Sequence, residues 1–139
     1  MKTWYYRTAL SMLCAGIGLI SCSKGGASET RYGDPNKIDV LIVTSGHHFN
    51  RESFFGIFKC DDIIYSEYIL KDESEVFEDI SAWNYDVILL YNMTQKISPK
   101  RQENFVRLLK EKGIGLVVLH HAQAAFQSWR EYHYIIGTA

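Results

Sequence analysis

Four short apolar runs, separated by stretches of helical spacing, constrain this chain more than any other feature. They are IDVLIV (38–43), IIYSEYIL (63–70), VILLY (87–91) and GLVVL (115–119). The first, third and fourth are almost wholly apolar and too short for helices, the pattern of strands covered on both faces. The second alternates less clearly and predicts a more peripheral strand. Between them, residues 50–59 (NRESFFGIFK) predict a helix with Asn50 as N-cap and Phe54, Phe55 and Phe58 on one side. Residues 72–80 predict a short acidic helix that packs Val76, Phe77 and Ile80 inward, its acids forming a solvated face. Ser98 and Pro99 predict a helix start, Phe105, Val106, Leu108 and Leu109 its apolar stripe, and Gly113 its stop. A last helix is expected over residues 129–136. Parallel neighbours need a crossover connection, and these crossovers are long enough to hold one. The expected fold is therefore α/β and flavodoxin-like, a parallel sheet in the order 2-1-3-4 with helices on both faces. With four strands the sheet is incomplete, and its fourth strand is expected at an edge.

The remaining N-terminal part reads differently. Lys2 and Arg7 precede an uncharged, largely apolar stretch over residues 8–20, the layout of a secretory signal too short to span a bilayer. It ends in Leu19-Ile20-Ser21-Cys22, which resembles the lipobox of bacterial lipoproteins, with cleavage before Cys22 and lipid on its thiol. Small and polar residues follow, so residues 22–36 are read as a flexible tether and 37–139 as one domain. The expected product is an exported lipoprotein held on a membrane, at the periplasmic face or cell surface, by lipid on Cys22. Loss of residues 1–21 removes Lys2 and Arg7 and no acid, taking the formal charge from −1 to −3. No basic face is evident, which argues against a nucleic-acid partner. Cys14 leaves with the signal and Cys22 carries lipid, so Cys60 stands alone and no disulfide framework is expected.

Ligands of open α/β sheets bind beyond the carboxyl ends of the strands. Those ends carry Gly46, His47 and His48 after the first strand, Asn92 after the third, and His120, His121 and Gln123 after the fourth. Four of the five histidines thus share one rim, with strand ends about 10 Å apart. Adjacent residues of an extended segment face opposite ways, so each pair is expected to offer one imidazole unless the chain turns between them. His120 is narrowly preferred over His121. No His-Glu-x-x-His helix or Cys-x-x-Cys pair is present, so no cofactor is assigned. The histidines leave room for a divalent metal without defining a ligand set. No serine or cysteine stands beside His120 to act as a nucleophile. The chemistry that fits is histidine acid/base work or hydrogen bonding to a polyhydroxylated ligand. Trp129, with Tyr132 and Tyr134, is a candidate aromatic floor, although such residues on a terminal helix are more often core.

Taken together, VTSGHHF (43–49), YDVILLYNM (85–93), IGLVVLHHAQAAFQSWREY (114–132) and IIG (135–137) resemble the ThuA-like, or trehalose-utilisation, family over about a hundred residues. The resemblance implies a class I glutamine amidotransferase-like fold and a link to carbohydrate metabolism. It also implies that His120-His121 take the place of the amidotransferase cysteine, so glutaminase activity is not expected. Similar proteins continue beyond the IIG segment, so the chain is expected to represent the N-terminal part of such a domain. The leading expectation is a sugar or oxidised sugar derivative at the rim, with His47, His120 and His121 as catalytic or contact residues. Gly46, His48, Asn92, Gln123 and Trp129 are expected as ligand neighbours. The alternatives are a non-catalytic carbohydrate-binding module and a truncated product without independent activity.

Overall fold

The computed structural model describes residues 34–71 and 73–138. The expected signal peptide, Cys22 and the tether up to residue 33 lie outside the described residues. Strands β1 (Ile38–Ser45), β2 (Ile63–Ile69), β3 (Val87–Asn92) and β4 (Gly115–Val118) form a parallel sheet in the order β2-β1-β3-β4. This is the expected flavodoxin-like order. Val43 pairs with Leu90, and Leu90 with Val118, so β1, β3 and β4 end almost level at one rim.

Each crossover shows how local sequence sets an element. Helix α1 (Arg51–Gly56) starts where the Asn50 side chain accepts a bond from the Ser53 N–H at 2.9 Å. It ends earlier than the expected residue 59, because Gly56 disfavours helix continuation and residues 57–59 tighten into i to i+3 turns. Helix α2 (Pro99–Lys110) begins with Pro99 in its first turn, as expected. Ser98, expected to cap it through its hydroxyl, contributes only its carbonyl, which accepts from the Gln102 N–H at 2.9 Å. Helix α3 (Arg130–Ile136) stops at Gly137, whose φ of 74° supplies the left-handed C-cap. The acidic helix expected over 72–80 is reduced to a single 3-10 turn, Glu75–Phe77. Ser74 explains the difference: it sits at φ 66° with its hydroxyl donating to the Lys96 carbonyl, and an α-helix does not pass through a left-handed residue. Val76, Phe77 and Ile80 are nevertheless buried, so the apolar pattern reports the packing even where it misstates the helix.

The sheet has a thick side and a thin side. Leu41, Val43, Ile88 and Leu90 face a layer built by α2, α3 and the two connecting turns, centred on Phe77, Phe105, Leu108, Phe126, Trp129 and Tyr132. Val40, Ile42 and Leu89 face Phe54 of α1, with Phe49, Phe55, Phe58 and Tyr91 around it. At six residues α1 is about 9 Å long, too short to cover all four strands. The same side of β4 is therefore open, with Val117 39% and Leu119 36% exposed. β4 is also an edge strand, as expected. No helix among the described residues is long and apolar enough to cross a membrane.

Candidate functional site

The rim histidines come together through two turns. After β1, Gly46 adopts φ 81°, and a Cβ there would stand 3.1 Å from that of Met93. Only glycine fits this close approach without shifting Met93, so Gly46 acts as the turn residue that sends His47 back over β3. After β4, His120 adopts φ 52° and opens the 3-10 turn His120–Ala124. Phe126, also at φ 52°, closes the same segment. Left-handed backbone at two residues other than glycine costs free energy that the surrounding packing must offset. Here it is offset by Tyr132, whose buried hydroxyl donates to the Ala122 carbonyl at 2.6 Å. Burial raises the Tyr132 pKa far above the ordinary phenol value, so the hydroxyl keeps its proton and its role as donor. Gln95 braces the turn from outside, donating to the Ala124 carbonyl at 2.9 Å and accepting from the Gln127 N–H at 3.3 Å.

The resulting cluster holds three imidazoles. The His47 ring lies 5.9 Å from that of His120 and 5.0 Å from that of His121, and the last two are 3.8 Å apart. The expectation that one histidine of the second pair turns away is thus corrected. It presumed extended backbone, and the positive φ of His120 turns the chain between them. Beneath the cluster, Tyr91 meets His47 edge to face at 4.7 Å, and Phe49 packs on Tyr91 at 5.1 Å. Tyr91 was not singled out from sequence. The signal was parity: as a neighbour of Asn92 in β3 it must face the opposite side, the thin side that Leu89 also faces.

The other expected site residues are placed apart from this cluster or at its margin. His48 is exposed, and its backbone carbonyl faces His47 Nδ1 at 3.5 Å. Gln123 is exposed on the turn. Asn92 is fully buried with both amide atoms unpartnered, on the thick side and away from Tyr91. Trp129 is 6% exposed and belongs to the core, 5.6 Å from Phe105 and stacked on Tyr132 at 5.8 Å. The aromatic rings beside the imidazoles are Phe49 and Tyr91, whereas Trp129 and Tyr132 pack on Phe105 and Phe126.

Among the described residues no ion pair or carboxylate hydrogen bond reaches the three rim imidazoles. The His47 Nε2 atom is buried without a hydrogen-bond partner. Glu67 of β2 is occupied elsewhere, accepting from Thr44 at 2.6 Å and from Arg51. Burial raises the Glu67 pKa, but the Arg51 and Thr44 hydrogen bonds and the Arg51 charge outweigh it and hold the carboxyl below its usual range. His121 is held below the usual imidazole range by desolvation and then by the charges of His120 and His47. Among the described residues no three His, Cys, Asp or Glu side chains are disposed to hold a metal ion. The edge-to-face packing of the rings, at 64° and 74°, explains why three nearby imidazoles do not converge on one point.

Comparison with protein-family models, curated proteins and solved structures returned no match. The reading of function therefore rests on the residues of this rim.

Two expected results follow from the geometry. A depressed histidine pKa means that the folded state binds fewer protons than the unfolded one, so its contribution is fully present above the unfolded value of about 6.5 and is lost as pH falls toward the folded value. The melting temperature should accordingly decline as pH drops below about 6.5, and His121→Gln should flatten that decline. An equal slope in the variant would remove His121 as its source. Replacing His120 by glycine relieves the left-handed strain, worth about 1–2 kcal/mol, against a glycine entropy cost of about 0.5–1 kcal/mol. His120→Gly should therefore leave stability unchanged or raise it by about 1 kcal/mol, read by urea denaturation.

Proposed function

We propose that the chain is a ThuA-like protein that binds, and in its enzymatic form acts on, a sugar or sugar derivative of the trehalose or keto-sugar type at this rim. The observation that carries the reading is the clustering of His47, His120 and His121, with Tyr91 against His47 and His120 and a buried His47 nitrogen left unpartnered. Imidazoles both donate and accept hydrogen bonds, which suits vicinal hydroxyls, and the neighbouring Tyr91 and Phe49 rings add apolar surface beside them. Acid/base work at a carbonyl or glycosidic oxygen needs a group titrating near neutrality, and imidazole meets that need without a metal ligand set. Membrane attachment through lipid on Cys22 is part of the same proposal and is supported by the Leu19-Ile20-Ser21-Cys22 sequence.

A second reading, a carbohydrate-binding module without turnover, is favoured by one detail. His47 Nδ1 faces the His48 carbonyl and not a carboxylate, so no charged partner orients the ring for proton transfer. Calorimetry with trehalose, glucose and their keto derivatives, alongside product analysis, separates the two. Turnover abolished by His120→Ala supports the enzyme. Binding without turnover supports the module, and no binding of any sugar overturns both. For the anchor, Cys22→Ser should move the protein from the membrane fraction to the soluble one.

A further inference from the structure

We propose that the rim selects an anionic ligand, a carboxylate-bearing sugar, and that its binding takes up a proton onto the imidazole cluster. This deepens the reading of the rim as a carbohydrate site and rests on it. The groups that face the cluster can be named element by element. The loop after β1 contributes His47 and the backbone carbonyl of His48, β3 contributes Tyr91, and the turn after β4 contributes His120 and His121. Beyond Phe49 lie Arg51 of α1, its guanidinium 5.6 Å from that ring, and Glu67 of β2. The one carboxylate in this set, Glu67, is already held by Arg51 and Thr44.

Among these described groups, a charged imidazole therefore meets the Arg51 guanidinium and no carboxylate other than Glu67, which is already paired. The ring centroids lie only 3.8–5.9 Å apart, so a second positive charge in the cluster is repelled by the first. The lowering of the His121 pKa by burial and by its two imidazole neighbours accords with this crowding. A bound carboxylate supplies the missing counter-charge, accepts from an imidazolium N–H, and gives the buried His47 Nε2 a partner. Ligand and proton then bind together by linkage, since each favours the other. The proton passes from hydronium or buffer acid to an imidazole nitrogen lone pair, forming an N–H, and no bond of the ligand is made or broken. A neutral sugar at the same place gains nothing from protonation and shows no such coupling.

The test is isothermal calorimetry of the whole chain with D-glucuronate, D-glucose and acetate at about pH 5.5 and about pH 8, in buffers of different ionisation enthalpy. Glucuronate should bind about tenfold or more tightly at the lower pH, with proton uptake that disappears in His121→Gln, and should bind better than either glucose or acetate. Circular dichroism of His121→Gln confirms that the variant is folded. Glucose binding as well as glucuronate, with no pH dependence, overturns the anion proposal and leaves the sugar site standing. Acetate binding as well as glucuronate while glucose does not bind overturns the sugar reading and leaves an anion site. Binding of none overturns both.

Discussion

Phe105→Ala should cost about 3–5 kcal/mol, a large share of the stability of a domain of this size. Phe105 is fully buried and, with Leu108, carries α2 into the thick layer. It packs edge to face on Phe77 at 5.1 Å and on Trp129 at 5.6 Å, and lies 6.2 Å from Tyr132. Those three come from the Glu75–Phe77 turn, the approach to α3 and α3 itself. The cavity left by truncation is bounded by the sheet on one side and by rigid rings on the others, so little collapse can fill it. The loss should appear as a lower urea midpoint with an unchanged slope. It should also loosen the rim at a distance, because Tyr132 is the residue that holds the Ala122 carbonyl. A cost below about 1 kcal/mol would mean that the thick layer is not packed as described.

Asn92→Leu should do the reverse and stabilise the protein by about 1–3 kcal/mol. The Asn92 side chain is fully buried at the end of β3, and neither its nitrogen nor its oxygen has a hydrogen-bond partner. A buried amide in that condition carries its desolvation cost without return. Leucine is close in shape and removes the cost while keeping the packing. Because Asn92 and Tyr91 point to opposite sides of the sheet, the substitution should leave ligand binding at the imidazole cluster unchanged. Destabilisation by Asn92→Leu would show that the amide is satisfied, for instance by an ordered water. Loss of binding would show that the thick side of the rim belongs to the site.

The parts of the fold that were legible in the sequence are those where one physical rule dominates. Runs such as IDVLIV and VILLY are apolar because a parallel strand is buried on both faces, and the long connections between them admit few topologies. The order β2-β1-β3-β4 and the edge position of β4 are those expected of a flavodoxin-like sheet with four strands. Residues 72–80 were misread because apolar spacing is shared by an α-helix and by a single turn. The difference lies in the Ser74 backbone and its bond to Lys96, a long-range contact. At the rim, strand ends placed His47, His120 and His121 correctly near one another. The sequence did not disclose that His120 would turn left-handed, since histidine has only a modest tendency to do so. Trp129, a candidate ligand neighbour of a kind more often found in cores, is buried in the core. Its pattern fits core and site, and only the docking of α3 against Phe105 decides between them.

The central claim is that these three imidazoles form one ligand site, and imidazole resonances report on it directly. Proton–carbon spectra of the histidine rings should be followed while trehalose, and separately D-glucuronate, is added to the whole chain. His47, His120 and His121 should shift together along one saturation curve. His133, on α3 with its Nδ1 3.2 Å from the Thr138 hydroxyl, should stay still. Saturable binding that leaves the three rim rings unmoved, or that moves His133 in their place, would contradict the account.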